Sequence, residues 1–214
     1  MKEEVKTGTT TVGLVGKDII VLAADQRATM GHLVYDDEAQ KLYKITEHIG
    51  VTNAGAVGDS LVIIRFLRSH ANLYEIERQT RVTAKALASY LSNILNSTRF
   101  YPFAVQFLLG GVNQKPELFE VTAFGGVLER KKYAASGSGT ELALTTLDQE
   151  FKPGMTEEEG VALAVKAVKS GTRRDVFSGG KVISVMVIDK DTIRTLSEQD
   201  IKKHLEKLKT REAE

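Results

Sequence analysis

Two apolar, β-branched runs open the patterned part of the chain, Thr9 to Val15 and Ile19 to Asp25, with Gly16-Lys17-Asp18 between them. Side chains branched at Cβ fit a pleated backbone, and a short glycine-containing break between two such runs predicts a hairpin. His32 to Tyr35, Lys41 to Thr46 and Gly50 to Ala56 read as further strands, with the acidic Asp36-Asp37-Glu38 between the first two. The period then changes. From Asp59 to Gln79 the apolar positions Leu61, Ile64, Leu67, Leu73 and Ile76 recur at helical spacing. Leu87, Leu91, Ile94 and Leu95 do the same from Thr83, a suitable N-cap, to Phe100, and Pro102 stops the pattern.

The second half repeats these ingredients. Ala104 to Val112, Leu118 to Phe124 and Leu128 to Ser136 read as strands, with Gly110-Gly111 and Gly125-Gly126 as turns. Gly137-Ser138-Gly139 opens a helical stretch to Glu150, and Thr156 with Glu159 forms a capping-box pattern for a helix running to Ser170. Val182 to Ile188 and Thr192 to Leu196 predict a hairpin around Lys190-Asp191, and a charged helix follows from Glu198 to Lys209. Blocks of strands alternating with blocks of helices predict an α+β fold with antiparallel sheets. Ile19 to Ala24 and Val182 to Ile188 are apolar almost throughout, which predicts cover on both faces: two sheets packed together, helices outside. No linker divides the chain, so a single domain is expected.

Composition narrows the chemistry. The 214 residues, 42% of them hydrophobic, are enough for one large domain with a real core. A net charge of +1 gives no global field toward nucleic acid or an anionic membrane. The absence of cysteine excludes disulfides and thiol catalysis and fits a reducing, cytoplasmic setting. Four scattered histidines form no metal-ligand spacing, so no metal is expected. The charged first eight residues do not read as a secretory signal, and no run is apolar enough to span a membrane.

The chemistry-bearing stretch is Thr7-Gly8-Thr9-Thr10-Thr11-Val12. If the bond after Gly8 is cut, Thr9 presents a hydroxyl and a free α-amine with a pKa of about 7.7–8.0, nucleophile and base from one residue. The plain alternative is that the threonines only open a strand. Asp25 ends an apolar strand beside Arg27, where a structural ion pair is the ordinary reading; Lys41 starts a strand, where a surface lysine is. A buried lysine paired with a carboxylate would instead tune a nearby hydroxyl. Gly55, ahead of a helix, either packs closely or aims its amide at an oxyanion. Ser138 and Ser178 sit in glycine-rich loops, and Asp175 follows Arg173-Arg174, where a surface salt network is equally natural.

In order and spacing the pieces resemble proteasome β-subunits of the archaeal type. They are Thr7 to Val12, Ala-Ala-Asp-Gln-Arg-Ala-Thr (Ala23 to Thr29), Lys41-Leu-Tyr-Lys-Ile, Ala-Gly-Ala-Val-Gly-Asp (Ala54 to Asp59), Ser-Gly-Ser-Gly (Ser136 to Gly139) and Arg-Arg-Asp-Val-Phe-Ser-Gly-Gly (Arg173 to Gly180). The resemblance implies a four-layer αββα N-terminal-nucleophile hydrolase sandwich spanning 9–214, with 1–8 a propeptide removed by autolysis between Gly8 and Thr9. It implies Thr9 as nucleophile, Lys41 paired with Asp25, and Ser138, Asp175 and Ser178 around the amine. The Gly55 amide becomes the oxyanion donor, and no metal or cofactor is needed. It further implies seven-membered β-rings capped by α-rings in a twenty-eight-subunit barrel, fed with unfolded polypeptide by an ATPase ring. The pocket positions are Ala28, Thr29, Ala39, Asn53 and Val57; small Ala28 and Ala39 favour bulky apolar substrate side chains, whereas Asn53 departs by adding polarity. Asp36-Asp37-Glu38 is a second departure, facing either a neighbouring subunit or acidic substrates. The alternatives are a structural β-subunit dependent on a partner chain, the bacterial two-ring threonine peptidase, and a non-peptidase amidohydrolase of the same sandwich class.

Overall fold

The computed structural model describes residues 8–212. Strand β1 (Thr11–Val15) turns through Gly16-Lys17-Asp18 into antiparallel β2 (Ile20–Ala24), as the break between the two apolar runs predicts. A small hairpin, β3 (Ala28–Met30) with β4 (Leu33–Asp36), precedes β5 (Leu42–Lys44) and β6 (Ile49–Gly55). Helices α1 (Val57–Arg78) and α2 (Ala84–Ser97) follow; the Thr83 side chain caps α2 by accepting from the Ala86 amide at 3.1 Å.

Strands β7 (Val105–Val112), β8 (Pro116–Val121), β9 (Val127–Glu129) and β10 (Tyr133–Ser136) lead into α3 (Thr140–Glu150) and α4 (Glu157–Thr172). The predicted capping box on α4 is present in both directions. The hairpin β11 (Ser184–Ile188) and β12 (Ile193–Leu196) and the helix α5 (Glu198–Glu212) complete the order.

The strands form two five-stranded antiparallel sheets, β10-β1-β2-β11-β12 and β5-β6-β7-β8-β9. Side-chain alternation explains the layers. On β2, Val21 and Ala23 pack with α3 and α4, while Ile20, Leu22 and Ala24 face the second sheet. On β7, Phe107 and Leu109 pack with α1 and α2, while Leu108 faces the first sheet. The result is the helix–sheet–sheet–helix sandwich, with β2 and β11 covered on both faces as their unbroken apolar runs require.

Three details differ from expectation. The stretch Leu128 to Ser136 is two strands: β9 joins the second sheet and β10 the first. The charged Arg130-Lys131-Lys132 carries the chain across, anchored where Arg130 pairs with Glu120. Gly110-Gly111 lies inside β7 rather than in a turn; a Cβ on Gly110 would fall 2.6 Å from Ile20 Cγ2, so the glycine lets the sheets meet. The short strand β3 has no matching apolar run in the sequence. Among the described residues no helix is long and apolar enough to cross a membrane. The expected leader, 1–8, falls outside the described residues except for Gly8.

Candidate active site

Antiparallel register gathers the site at one end of the sandwich. Thr11 pairs with Ala24 on one side and Ser136 on the other, so residues just before β1 meet those just after β2 and β10. The Asp25 amide accordingly donates to Thr10 O at 3.1 Å, and the Gly139 amide to Thr9 O at 3.2 Å. Because β11 pairs with β2 from Ser184↔Ala24 onward, the segment ahead of β11 arrives at the same place, and Gly179 O accepts from the Gln26 and Arg27 amides. The second sheet brings Lys41, ahead of β5, and Gly55, at the end of β6.

Asp25 is completely buried and saturated with donors. Its Oδ1 accepts from Lys41 Nζ at 2.7 Å and the Thr10 amide at 2.9 Å; its Oδ2 accepts from the Gly179 amide at 2.8 Å and the Arg27 amide at 3.1 Å. The neighbouring guanidinium is not its partner: Arg27 Nε donates to Asp37 Oδ1 at 3.1 Å. Lys41 is no surface lysine; it is 6% exposed. Burial, which disfavours its charge, holds its pKa below the ordinary 10.5, against the opposing pull of Asp25.

Thr9 Oγ1 donates to Gly8 O at 2.5 Å, and Lys41 Nζ donates to the same carbonyl at 3.3 Å. Hydroxyl and lysine thus converge on the carbonyl of the bond preceding Thr9. Gly8 is held by its amide on Thr29 Oγ1 at 3.2 Å, and a Cβ there would fall 1.8 Å from Phe177 Cβ, so only glycine fits.

On the other side, the Thr9 amide donates to Ser138 Oγ at 3.1 Å. Ser138 and Ser178 hydroxyls both donate to Asp175 Oδ2 at 2.5 Å, and the Phe177 amide donates to Asp175 Oδ1 at 3.1 Å. Asp175 therefore serves this cluster; among the described residues no ion pair joins it to Arg173 or Arg174.

A cleft opens over Thr9, lined by Gly8, Ala28, Thr29, Ala39, Lys41, Asn53, Gly55 and Val57. Gly55 adopts φ 123°, and a Cβ would fall 2.0 Å from Ala104 O, so glycine is required by conformation and by space. Asn53 is nearly buried, its Oδ1 engaged by Ser60 Oγ at 2.5 Å. The catalytic, cleavage-site and pocket positions that the resemblance implies lie together in this one constellation.

Thr10 was not singled out, yet it is fully buried with its Oγ1 2.8 Å from Ser178 Oγ. Since Ser178 gives its only proton to Asp175, Thr10 is the donor, and it fixes the hydroxyl that helps hold Asp175. The signal was available in the triplet: in a strand-like run, the middle of three hydroxyls points opposite to its neighbours.

Comparison with known proteins accords with this arrangement. The family model described as "Proteasome subunit" matches residues 5–188. "Proteasome subunit beta 2" of Pyrococcus furiosus is 43% identical over 96% of this chain and 98% of its own. "Proteasome subunit beta 1" of Thermococcus kodakarensis is 43% identical over 96% and 100%, and "Proteasome subunit beta" of Methanocaldococcus vulcanius 44% identical over 92% and 89%. With identity of that level running nearly end to end and a family model across most of its length, the chain belongs to the proteasome subunit family.

Proposed function

We propose that the chain is the catalytic β-subunit of an archaeal-type 20S core particle, a threonine endopeptidase that cuts its own Gly8–Thr9 bond to become active. One observation carries the reading: the Thr9 hydroxyl and Lys41 Nζ, backed by buried Asp25, meet at Gly8 O.

In the self-cleavage step Thr9 Oγ1 attacks the Gly8 carbonyl carbon as its proton leaves toward Lys41 or a water. The O–C bond forms, that proton is passed on to the Thr9 nitrogen as the C–N bond breaks, and the acyl group moves from nitrogen to oxygen, leaving a free amine. Water then hydrolyses the ester, releasing 1–8 as a carboxylate and restoring the Thr9 hydroxyl beside the amine already freed. The mature domain is 9–214. Lys41 suits the proton transfer because burial lowers its pKa while Asp25 orients it.

The same groups then act on substrate. The Thr9 hydroxyl attacks a peptide carbonyl, giving its proton to its own amine or to Lys41. The Gly55 amide stabilises the oxyanion, and Ser138, Asp175 and Ser178 hold the amine in place. The departing amine takes the proton, and water hydrolyses the acyl ester. Substrate side chains enter between Ala28, Thr29, Ala39, Asn53 and Val57; the small alanines leave room for apolar groups. The particle is read as stacked seven-membered β-rings under α-rings, with an ATPase ring delivering unfolded chains. A structural, inactive β-subunit finds no support in a site with nucleophile, lysine and carboxylate all present.

The test is intact-mass spectrometry with a peptidase assay, on the chain alone and co-expressed with an archaeal α-subunit. The assembled wild type is expected to lose 1–8 and hydrolyse peptides, while Thr9→Ala assembles at full mass and is inert. Peptidase activity in Thr9→Ala, or a full-length wild type in assembled particles, overturns the reading.

A further inference from the structure

Asp36-Asp37-Glu38 leads from the last residue of β4 toward Lys41 and takes no part in the chemistry above. Its three carboxylates are nonetheless all engaged within the chain. Asp36 Oδ1 accepts from the Glu38 amide at 2.8 Å and tightens the turn. Asp37 Oδ1 accepts from Arg27 Nε at 3.1 Å, and Glu38 Oε1 from Lys181 Nζ at 2.5 Å. The backbone adds to this: the Lys181 amide donates to Asp37 O at 3.2 Å, and the Ala39 amide to Gln26 O at 2.9 Å.

The turn therefore grips segment 178–181 from outside, and that segment touches the centre of the site. Its Gly179 amide is a donor to Asp25 Oδ2, and its Ser178 hydroxyl a donor to Asp175. Arg27 lies over Gly179 so closely that a Cβ there would fall 2.6 Å from Arg27 Cζ. Glu38, hydrogen-bonded to Lys181, raises the lysine's pKa. An exposed ion pair alone contributes little. Here one pair holds Lys181 directly and the other holds Arg27 against Gly179, on a short segment already fixed by backbone hydrogen bonds.

We propose that the acidic turn is a positioning element for the catalytic site: Asp37, through Arg27 and the Lys181 amide, and Glu38, through the Lys181 ammonium, hold segment 178–181 so that Gly179 keeps its amide on Asp25. The inference rests on the threonine-peptidase reading above. It assigns the turn to the chain's own site, neither to a neighbouring subunit nor to the repulsion of acidic substrates.

The experiment uses particles assembled with the α-subunit and carrying Asp37→Asn, Asp37→Glu, Glu38→Lys, or Glu38→Lys together with Lys181→Glu. Two quantities are read: kcat and KM on a fluorogenic peptide, and the rate at which a small β-lactone without peptide side chains acylates Thr9. Asp37→Asn and Glu38→Lys are expected to lower kcat and acylation in parallel by about tenfold, as a displaced but present group does, with KM little changed. Asp37→Glu recovers part of the loss, and reversing the charge at Lys181 rescues Glu38→Lys. Wild-type kcat and acylation in both single variants, or a change confined to KM or thermal midpoint, overturns the proposal. Should Asp37→Asn fail to assemble, Glu38→Lys and its rescue decide alone. Wild-type particles without peptidase activity would remove the reading beneath it, which the Thr9→Ala comparison detects separately.

Discussion

Burial draws the Lys41 pKa down and Asp25, 2.7 Å away, draws it up, with burial the larger influence. A base takes a proton only when unprotonated, so the rate is expected to rise as pH climbs through the lowered Lys41 value. Lys41→Arg keeps the charge but cannot deprotonate. We expect it to slow hydrolysis by about 10²–10⁴-fold and to lose that rising limb, checked by kcat/KM against pH in assembled particles. Stability follows the same sign. Between the lowered folded-state value and 10.5 the unfolded chain binds more protons, so the unfolding free energy rises with pH across that window. At this scale the sequence carried more of the residue types than of their surroundings. Thr9, Asp25 and Lys41 were legible from residue type and motif order; that Arg27 turns from Asp25 to Asp37 was not, because a side chain's partner depends on what the fold places within reach.

Elements read well where their periodicity was long. Helix α2 and its Thr83 cap, α4 and its capping box, and the hairpins β1–β2 and β11–β12 follow from local pattern alone. The misses are short or depend on another layer. One apolar-to-polar stretch became β9 and β10 because it feeds two sheets, and only the sheets' spacing reveals that Gly110 belongs inside β7. Gly110→Ala is expected to overpack the intersheet core and cost about 1–3 kcal/mol, read as a fall in the thermal midpoint of several degrees. Combined with Ile20→Ala, which removes the contacting Cγ2, it should cost less than the sum of the two single changes, since they share one contact and do not add.

For the whole molecule, exposed apolar side chains are the notable feature: Tyr35, Ile76, Phe100, Tyr101 and Val176 are each at least two-thirds open to solvent, Tyr101 at 91%. Membership of the family implies assembly into a proteasome complex, in which neighbouring subunits can cover such side chains. The lone chain is expected to self-associate at micromolar concentration and to give a discrete large particle with α-subunits, as sedimentation velocity would show; a stable, soluble monomer that ignores the α-subunit would contradict this. The sequence by itself determined the order of most strands and helices and the burial of β2 and β11 on both faces, because periodicity is local; it pointed to the threonine, carboxylate and lysine of the site only through the order of motifs along the whole chain. Only the tertiary structure decided which carboxylate faces which cation, that Thr10 joins the serine–aspartate cluster, and that the acidic turn clamps segment 178–181. Those contacts join residues far apart in the chain, and antiparallel register between strands, not local pattern, sets which of them meet.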